Sequence, residues 1–267
     1  MEVAEGGGAD IWVYDPQRDA MTRLTFGGGV YDSPTWSPDG EYIVFYTGEG
    51  ISQTRADGSG QPQVLMKGKP SMSPGSFTPD GKRLAYWEGS SGQIWTVPVE
   101  NQDGRLRAGR PEQFLKSSFD EGFPEFSPDG RWLAYHSNES GNYEVYVRAF
   151  PPPASGQGGK WQVSNNGGGF PRWAPGGHEL MYQSDDQIMS ASYAVKGDAF
   201  VAETPRVWIA KLGAPVIGFR NFNTTWDLAP DGKRALVLTL VEAPKEHEIV
   251  VLLNFFDELR RKVPVGK

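Results

Sequence analysis

Trp36-Ser37-Pro38-Asp39-Gly40, followed by Tyr42-Ile43-Val44-Phe45-Tyr46, is the stretch that decides the architecture of this chain. Pro fixes φ at the second position of a type I turn. Asp tolerates the bridge conformation beside it and offers a carboxylate to nearby amides. Gly takes the left-handed conformation that closes a hairpin. The stretch therefore reads as a tight turn between two short strands.

The same pattern recurs four times. Phe77-Thr78-Pro79-Asp80-Gly81 precedes Leu84-Ala85-Tyr86-Trp87, and Phe126-Ser127-Pro128-Asp129-Gly130 precedes Trp132-Leu133-Ala134-Tyr135. Trp173-Ala174-Pro175-Gly176-Gly177 is a worn copy before Leu180-Met181-Tyr182, and Leu228-Ala229-Pro230-Asp231-Gly232 precedes Ala235-Leu236-Val237-Leu238. The prolines at 38, 79, 128, 175 and 230 lie 41, 49, 47 and 55 residues apart. Two further β-rich runs follow each of the first four hairpins, such as Gln93-Ile94-Trp95-Thr96-Val97 and Glu112 to Leu115. The unit is thus a four-stranded antiparallel meander, and a meander of this length buries its faces by closing into a β-propeller.

The ends do not divide into whole units. Asp10-Ile11-Trp12-Val13-Tyr14 and Thr22-Arg23-Leu24-Thr25 read as third and fourth strands without a first half, and Glu248 to Leu253 as a third strand after the last hairpin. Twenty-one strands are found where five complete units need twenty. A single five-bladed propeller domain over 1–267 is the favoured reading because there are five hairpins, and six blades are the alternative. Asn254, Asp257, Glu258, Arg260, Arg261 and Lys262 read as a short C-terminal helix stopped by Pro264, its charges ordered to suit the helix dipole.

Composition agrees. Gly and Pro supply 55 of 267 residues, about 21% against the roughly 12% of average usage, which leaves little room for long helices. Nine Trp, ten Tyr and fourteen Phe provide a core. Cysteine is absent, which removes disulfides, thiolate metal sites and cysteine nucleophiles. A net charge of −7 offers no basic footprint for nucleic acid. No apolar run is long enough to insert in a membrane. The start, Met-Glu-Val-Ala-Glu-Gly-Gly-Gly, is unlike a secretory signal, so the chain reads as staying where it is made or as a piece of something longer.

Candidate chemistry is sparse. Asp39, Asp80, Asp129 and Asp231 occupy equivalent turns on different units and read as turn caps. His136, His178 and His247 are isolated, and no Gly-x-Ser-x-Gly elbow accompanies them, so neither a catalytic triad nor a zinc site is indicated. His136 stands where Tyr46, Trp87 and Gln183 stand in the other copies, which suits packing. Gly27 to Gly29 and Gly167 to Gly169 precede first strands and read as unit-to-unit passages, since no Lys-Ser/Thr follows them. The residues entering each first strand should ring the channel mouth: Tyr31, Asp32, Met72, Ser73, Asp120, Glu121, Phe123, Phe170, Phe222 and Asn223. Acidic groups mixed with exposed aromatics suit a peptide or a cation. The carboxylates are also candidates to hold one Ca²⁺ through oxygen ligands.

The Trp-Ser-Pro-Asp-Gly hairpin, the Asp-Ile-Trp-Val-Tyr-Asp strand and the Arg-Leu-Thr strand together resemble the repeat of TolB-like propellers. Related repeats occur in propeller domains of prolyl-oligopeptidase-type peptidases and in extracytoplasmic sensor regions of bacterial Ser/Thr kinases. The resemblance runs from about Asp10 to Phe255, and Val250 to Leu259 is similar to the end of the kinase-attached propellers. It implies a non-catalytic platform for a protein or peptide, the sensor part of a larger receptor, in an extracytoplasmic or periplasmic setting. The rival implication is a Ca-dependent lactonase, hydrolase or lyase acting at the channel mouth.

Overall fold

The computed structural model describes residues 2–5, 8–26, 29–68, 71–89, 92–153, 159–212, 226–240 and 249–251. These residues form twenty-four strands in six antiparallel sheets, with no helix among them. The first sheet holds β1 (Glu2–Glu5), β2 (Gly8–Asp15) and β3 (Ala20–Arg23). The second holds β4 (Asp32–Trp36), β5 (Tyr42–Thr47), β6 (Gly50–Arg55) and β7 (Gln63–Lys67). The third holds β8 (Met72–Phe77), β9 (Arg83–Glu88), β10 (Gln93–Gln102), β11 (Arg105–Ala108) and β12 (Glu112–Gln113). The fourth holds β13 (Glu121–Phe126), β14 (Trp132–Ser137), β15 (Glu144–Ala149) and β16 (Lys160–Gln162). The fifth holds β17 (Gly169–Trp173), β18 (Glu179–Ser184), β19 (Gln187–Lys196), β20 (Ala199–Ala202) and β21 (Arg206–Ile209), and the last β22 (Trp226–Leu228), β23 (Ala235–Leu240) and β24 (Ile249–Val251).

The chain is an all-β propeller of antiparallel meanders, as the repeat implies. Two differences concern the third and fifth sheets. Strand β10 runs past the expected Val97 and folds back through Asp103 (φ 52) and Gly104 (φ 73) into β11. Positive φ at both central residues gives the turn a hairpin favours. The long segment after Lys196 makes an equivalent excursion, turning at Gly197 into β20. The N-terminal sheet has a strand that the repeat does not predict, β1, paired with β2 from Glu2↔Ile11 to Glu5↔Gly8. The expected C-terminal helix lies outside the described residues, as do the connections that decide between five and six blades.

Strand alternation dictates how the sheets stack. In the strand after each hairpin, odd and even positions face opposite neighbours. Ile43 and Phe45 pack with Ile11 and Leu24 of the first sheet, while Tyr42 and Val44 pack with Leu84 and Tyr86 of the third. Ala85 and Trp87 meet Leu133 and Tyr135, and Trp132 and Ala134 meet Leu180 and Tyr182. Met181 and Ile188 meet Trp226 of the last sheet. Both sides of each central sheet are therefore core. Full burial of each such side chain stabilises by about 1.5–3 kcal/mol.

The hairpins share one hydrogen-bond scheme. Asp39 Oδ1 accepts from Ser37 Oγ at 2.5 Å and from the Glu41 amide at 2.9 Å, and Ser37 Oγ accepts the Tyr42 amide at 2.9 Å. Asp80 with Thr78, and Asp129 with Ser127, repeat it. Asp231 accepts the Lys233 amide and Arg234 Nε. The Ser37 hydroxyl and the Glu41 amide hold the Asp39 carboxyl below its ordinary range, and Thr78 does the same for Asp80. The worn copy differs in kind. Ala174 has no hydroxyl, and the left-handed residue is Gly176 (φ 67) rather than the following glycine.

Replacing Asp129 with Ala is expected to cost about 1 kcal/mol, as for a lost cap, seen as a lower urea midpoint at unchanged slope. Gly176→Asp, although it restores the repeat's letter, is expected to destabilise, because a side chain there must adopt positive φ. A stabilised Gly176→Asp variant in the same titration counts against this account of the turn.

Candidate functional site

The first strands β4, β8, β13 and β17 lie side by side in sequence order and form the inner wall. Each carries a break in register: between Asp32 and Thr35, Pro74 and Ser76, Gly122 and Glu125, and Gly169 and Arg172. Ser33, Phe123 and Phe170 hold positive φ (54, 54 and 53) immediately before Pro34, Pro124 and Pro171. Proline lacks the amide that a ladder would use, so it fits an edge strand at a bulge. A bulky residue at positive φ costs on the order of 1–3 kcal/mol. At Phe123 and Phe170 the geometry delivers two aromatic rings into the same spot.

There the side chains form one cluster. Phe123 lies with its ring centroid 4.5 Å from Trp87 and 4.5 Å from Phe170. His136 sits 4.9 Å from Phe123 and 4.9 Å from Tyr143. Gly122 makes room, since a Cβ there would stand 2.9 Å from His136 Nε2 and 3.4 Å from Trp87 Cδ1. His136 is 1% exposed, and neither ring nitrogen has a hydrogen-bond partner among the described residues. Burial pushes its pKa down to about 3, so the imidazole is neutral.

The acidic candidates are each engaged differently. Glu121 pairs with Ser137 and Gly122 with His136, so Glu121 and His136 face opposite sides of the sheet. Glu121 is 4% exposed, and burial raises its carboxyl to about 7 against the Ser117 hydroxyl. Asp120 accepts the Tyr143 hydroxyl and donates its amide to Asn138 Oδ1 at 3.0 Å. Burial, then the Asp120 contact, raises Tyr143 to about 12. Asp32 accepts the amide and the hydroxyl of Ser33. Tyr31 packs edge-on against Phe45 at 5.8 Å.

One expectation changes here. Phe123 and Phe170 are buried rather than exposed, because their backbone aims them inward to pack on Trp87 and His136. Met72 and Ser73 are buried as well. Among the described residues no three His, Cys, Asp or Glu side chains stand together as metal ligands. Phe222 and Asn223 lie outside the described residues.

A second feature was not anticipated. The residues one before the first residue of each hairpin motif, Thr35, Ser76, Glu125, Arg172 and Asp227, link neighbouring first strands. Thr35 Oγ1 donates to the Gly75 carbonyl at 3.1 Å, and Ser76 Oγ accepts the Phe126 amide at 2.7 Å. Arg172 lies between Glu125, at 3.6 Å, and Asp227, at 3.2 Å. Burial raises Glu125 to about 7, opposed by Arg172. The signal was the fixed offset from the hairpin, which places all five on one line.

No family model and no curated protein matches the chain. Solved structures do. TolB from Acinetobacter baumannii aligns over 91% of this chain at 15% identity with a TM-score of 0.56. An oligogalacturonate lyase in complex with manganese aligns over 87% of this chain and 80% of its own length, at 13% identity and a TM-score of 0.57. A periplasmic gluconolactonase from Pseudomonas aeruginosa aligns over 76% and 66%, at 17% identity and a TM-score of 0.51. The sheets and these likenesses define a β-propeller. Its form is TolB-like, and the chain spans 57% of the length of that TolB.

A buried neutral histidine ties stability to pH. Unfolded His136 gains a proton below its ordinary 6.5, and the folded one does not until about 3, so stability falls as pH drops through that window. Between pH 7 and pH 5 this term removes about 2 kcal/mol. His136→Phe is expected to flatten the pH dependence of the urea midpoint over that range. An unchanged slope in the variant overturns the assignment.

Proposed function

We propose that this chain is a non-catalytic platform that binds a protein or peptide, the sensor portion of a larger extracytoplasmic receptor of the kinase-associated kind. The observation that carries the reading is how the mouth's acidic groups are held. Asp32 is engaged by Ser33 and Asp120 by Tyr143, while Glu121 is turned away from the only described histidine nearby. Charges held this way present a fixed polar rim over an aromatic floor, which suits recognition more than proton transfer. The binding surface proposed is the rim formed by Tyr31, Asp32 and Asp120, with Glu121, Phe123 and Phe170 beneath it. The turn aspartates Asp39, Asp80, Asp129 and Asp231 are assigned to structure alone. Residues 1–267 are taken as one propeller domain, five-bladed in the favoured reading and six-bladed in the alternative.

A second reading is kept because a gluconolactonase and a manganese-containing oligogalacturonate lyase share the fold. In it, the mouth carboxylates hold a divalent ion, Ca²⁺ being the candidate, and the chain acts as a lactonase, hydrolase or lyase. The periplasmic setting of that gluconolactonase supports the extracytoplasmic placement. No helix among the described residues is long and apolar enough to cross a membrane.

The test is a screen for lactonase, esterase and glycan-lyase turnover with Ca²⁺, with Mn²⁺ and with chelator. The platform reading expects no turnover above background in any arm. Metal-dependent turnover abolished by Asp32→Ala or Glu121→Ala overturns it in favour of the enzyme.

A further inference from the structure

The floor of the mouth is fastened to a single imidazole. Three rings close on His136: Phe123 edge-on at 4.9 Å, Tyr143 at 4.9 Å and Phe170 at 6.0 Å, with Trp87 of β9 behind Phe123 at 4.5 Å. Gly122 completes the box, since a side chain there would collide with His136 Nε2. Neither ring nitrogen has a hydrogen-bond partner among the described residues. The equivalent residue of the fifth sheet, Gln183, is also buried, yet its amide donates to the Asp185 carbonyl at 3.0 Å. A buried polar group left unpaired disfavours the closed arrangement that holds it.

The rings over the imidazole are free to move at little cost. The register breaks between Gly122 and Glu125 and between Gly169 and Arg172 leave Phe123 and Phe170 outside the ladder of first and second strands, so shifting either breaks no ladder bond. Both sit at positive φ, a conformation that a bulky side chain leaves with a gain in free energy. Tyr143 is tied to the rim and to the fifth sheet. Its hydroxyl donates to Asp120, and its carbonyl accepts the Gly168 amide at 2.9 Å. The cluster thus couples the floor to the rim.

We propose that His136 is the latch of a proton-operated lid: protonation of the imidazole lifts Phe123, Phe170 and Tyr143 away from it and opens the mouth. An imidazolium donates from both nitrogens and needs water or an acceptor at each, and the closed box offers neither. Of the elements packed on it, β9 presents Trp87, β13 presents Gly122 and Phe123, and β17 presents Phe170, none of them ionisable. Tyr143 is titratable, but its phenol is pushed up to about 12 and its hydroxyl is engaged by Asp120. Burial alone lowers the His136 pKa, so no charge in the box offsets the imidazolium. Glu121 faces the other side of the sheet and titrates in the opposite sense. Burial raises its carboxyl to about 7, so an opening that exposed it would be favoured by alkali. The sign of the response therefore identifies the residue. As a control on binding the lid rests on the platform reading of the mouth, whereas the opening itself does not.

Native-state amide exchange on the full chain at pH 7, 6 and 5, without urea and in low urea and corrected for the intrinsic rate, reads the lid directly. The reporters are the amides of Asp120, bonded to Asn138 Oδ1, of Glu121, bonded to the Gly92 carbonyl, and of Gly168, bonded to the Tyr143 carbonyl. In the open state His136 gains its proton below its ordinary value, and in the closed state only near 3, so opening grows about 25-fold from pH 7 to pH 5. Exchange at the reporters is expected to accelerate by that factor and to ignore low urea, the mark of a local opening, while the amides of Ile43 and Phe45 follow the urea-sensitive global route. His136→Phe is expected to remove the acceleration. His136→Gln, a side chain already buried at the equivalent Gln183, is expected to do the same and serves if the first variant folds poorly. Reporters that exchange only by the urea-sensitive route, that show no acid acceleration, or that keep it in both variants overturn the proposal. Acid opening in a protein whose mouth binds no peptide supports the latch and counts against the platform reading alone.

Discussion

The central sheets are apolar on both faces, and most of the structure follows from that. A meander with one wet face can stand against a single partner, whereas these cannot. Leu84 needs Val44, Ala85 needs Leu133, and Ala134 needs Leu180. Each of these sheets is held by two others, and a radial stack satisfies that repeatedly. The hairpins are what keep such a stack in register. A slip of one residue in β5 would send Ile43 and Phe45 to the wrong neighbour. The hydroxyl, carboxylate and glycine of each turn fix the count between first and second strands to prevent it.

Radial packing also sets where polar groups are tolerated. The first strands converge, so their side chains have the least room and their backbones are edges. Proline and a bulge answer both constraints by removing an unneeded amide and bending the strand. The same bend puts Phe123 and Phe170 in contact, closing the space beneath the mouth. On the inner wall, Thr35, Ser76 and Arg172 bridge neighbouring strands. Glu125 and Arg172 illustrate the balance: burial raises the carboxyl, and the guanidinium opposes it.

What the sequence reveals tracks the range of the interaction. The turns were legible because Pro, Asp and Gly act within four residues, and the repeat multiplied the signal. The excursion through Asp103 and Gly104 carried a hairpin signal of the same kind, but it lay inside a run already read as a connection. Strand β1 had no turn motif before it and was missed. The mouth was legible only as a location. Nothing local distinguishes a Phe that faces solvent from one that faces a histidine in the next strand. That distinction depends on positive φ at Phe123, which arises from the bulge and therefore from packing of several strands at once. The inner-wall residues were findable by offset from the hairpin, but their pairing required knowing that first strands lie side by side.

These constraints bear on how such a scaffold acquires function. The interior is over-determined: His136 is neutral and sealed, Gly122 admits no side chain, and the mouth aromatics support one another. Chemistry placed there must displace packing. The rim and the strand edges are bound by no such requirement, because a residue there answers to one neighbour or none. Trp36 shows the contrast within a single motif position. Its equivalents Phe77, Phe126 and Trp173 are buried against second and third strands of the preceding sheet, whereas Trp36 is half exposed. On this scaffold the same motif position is core in three sheets and surface in another.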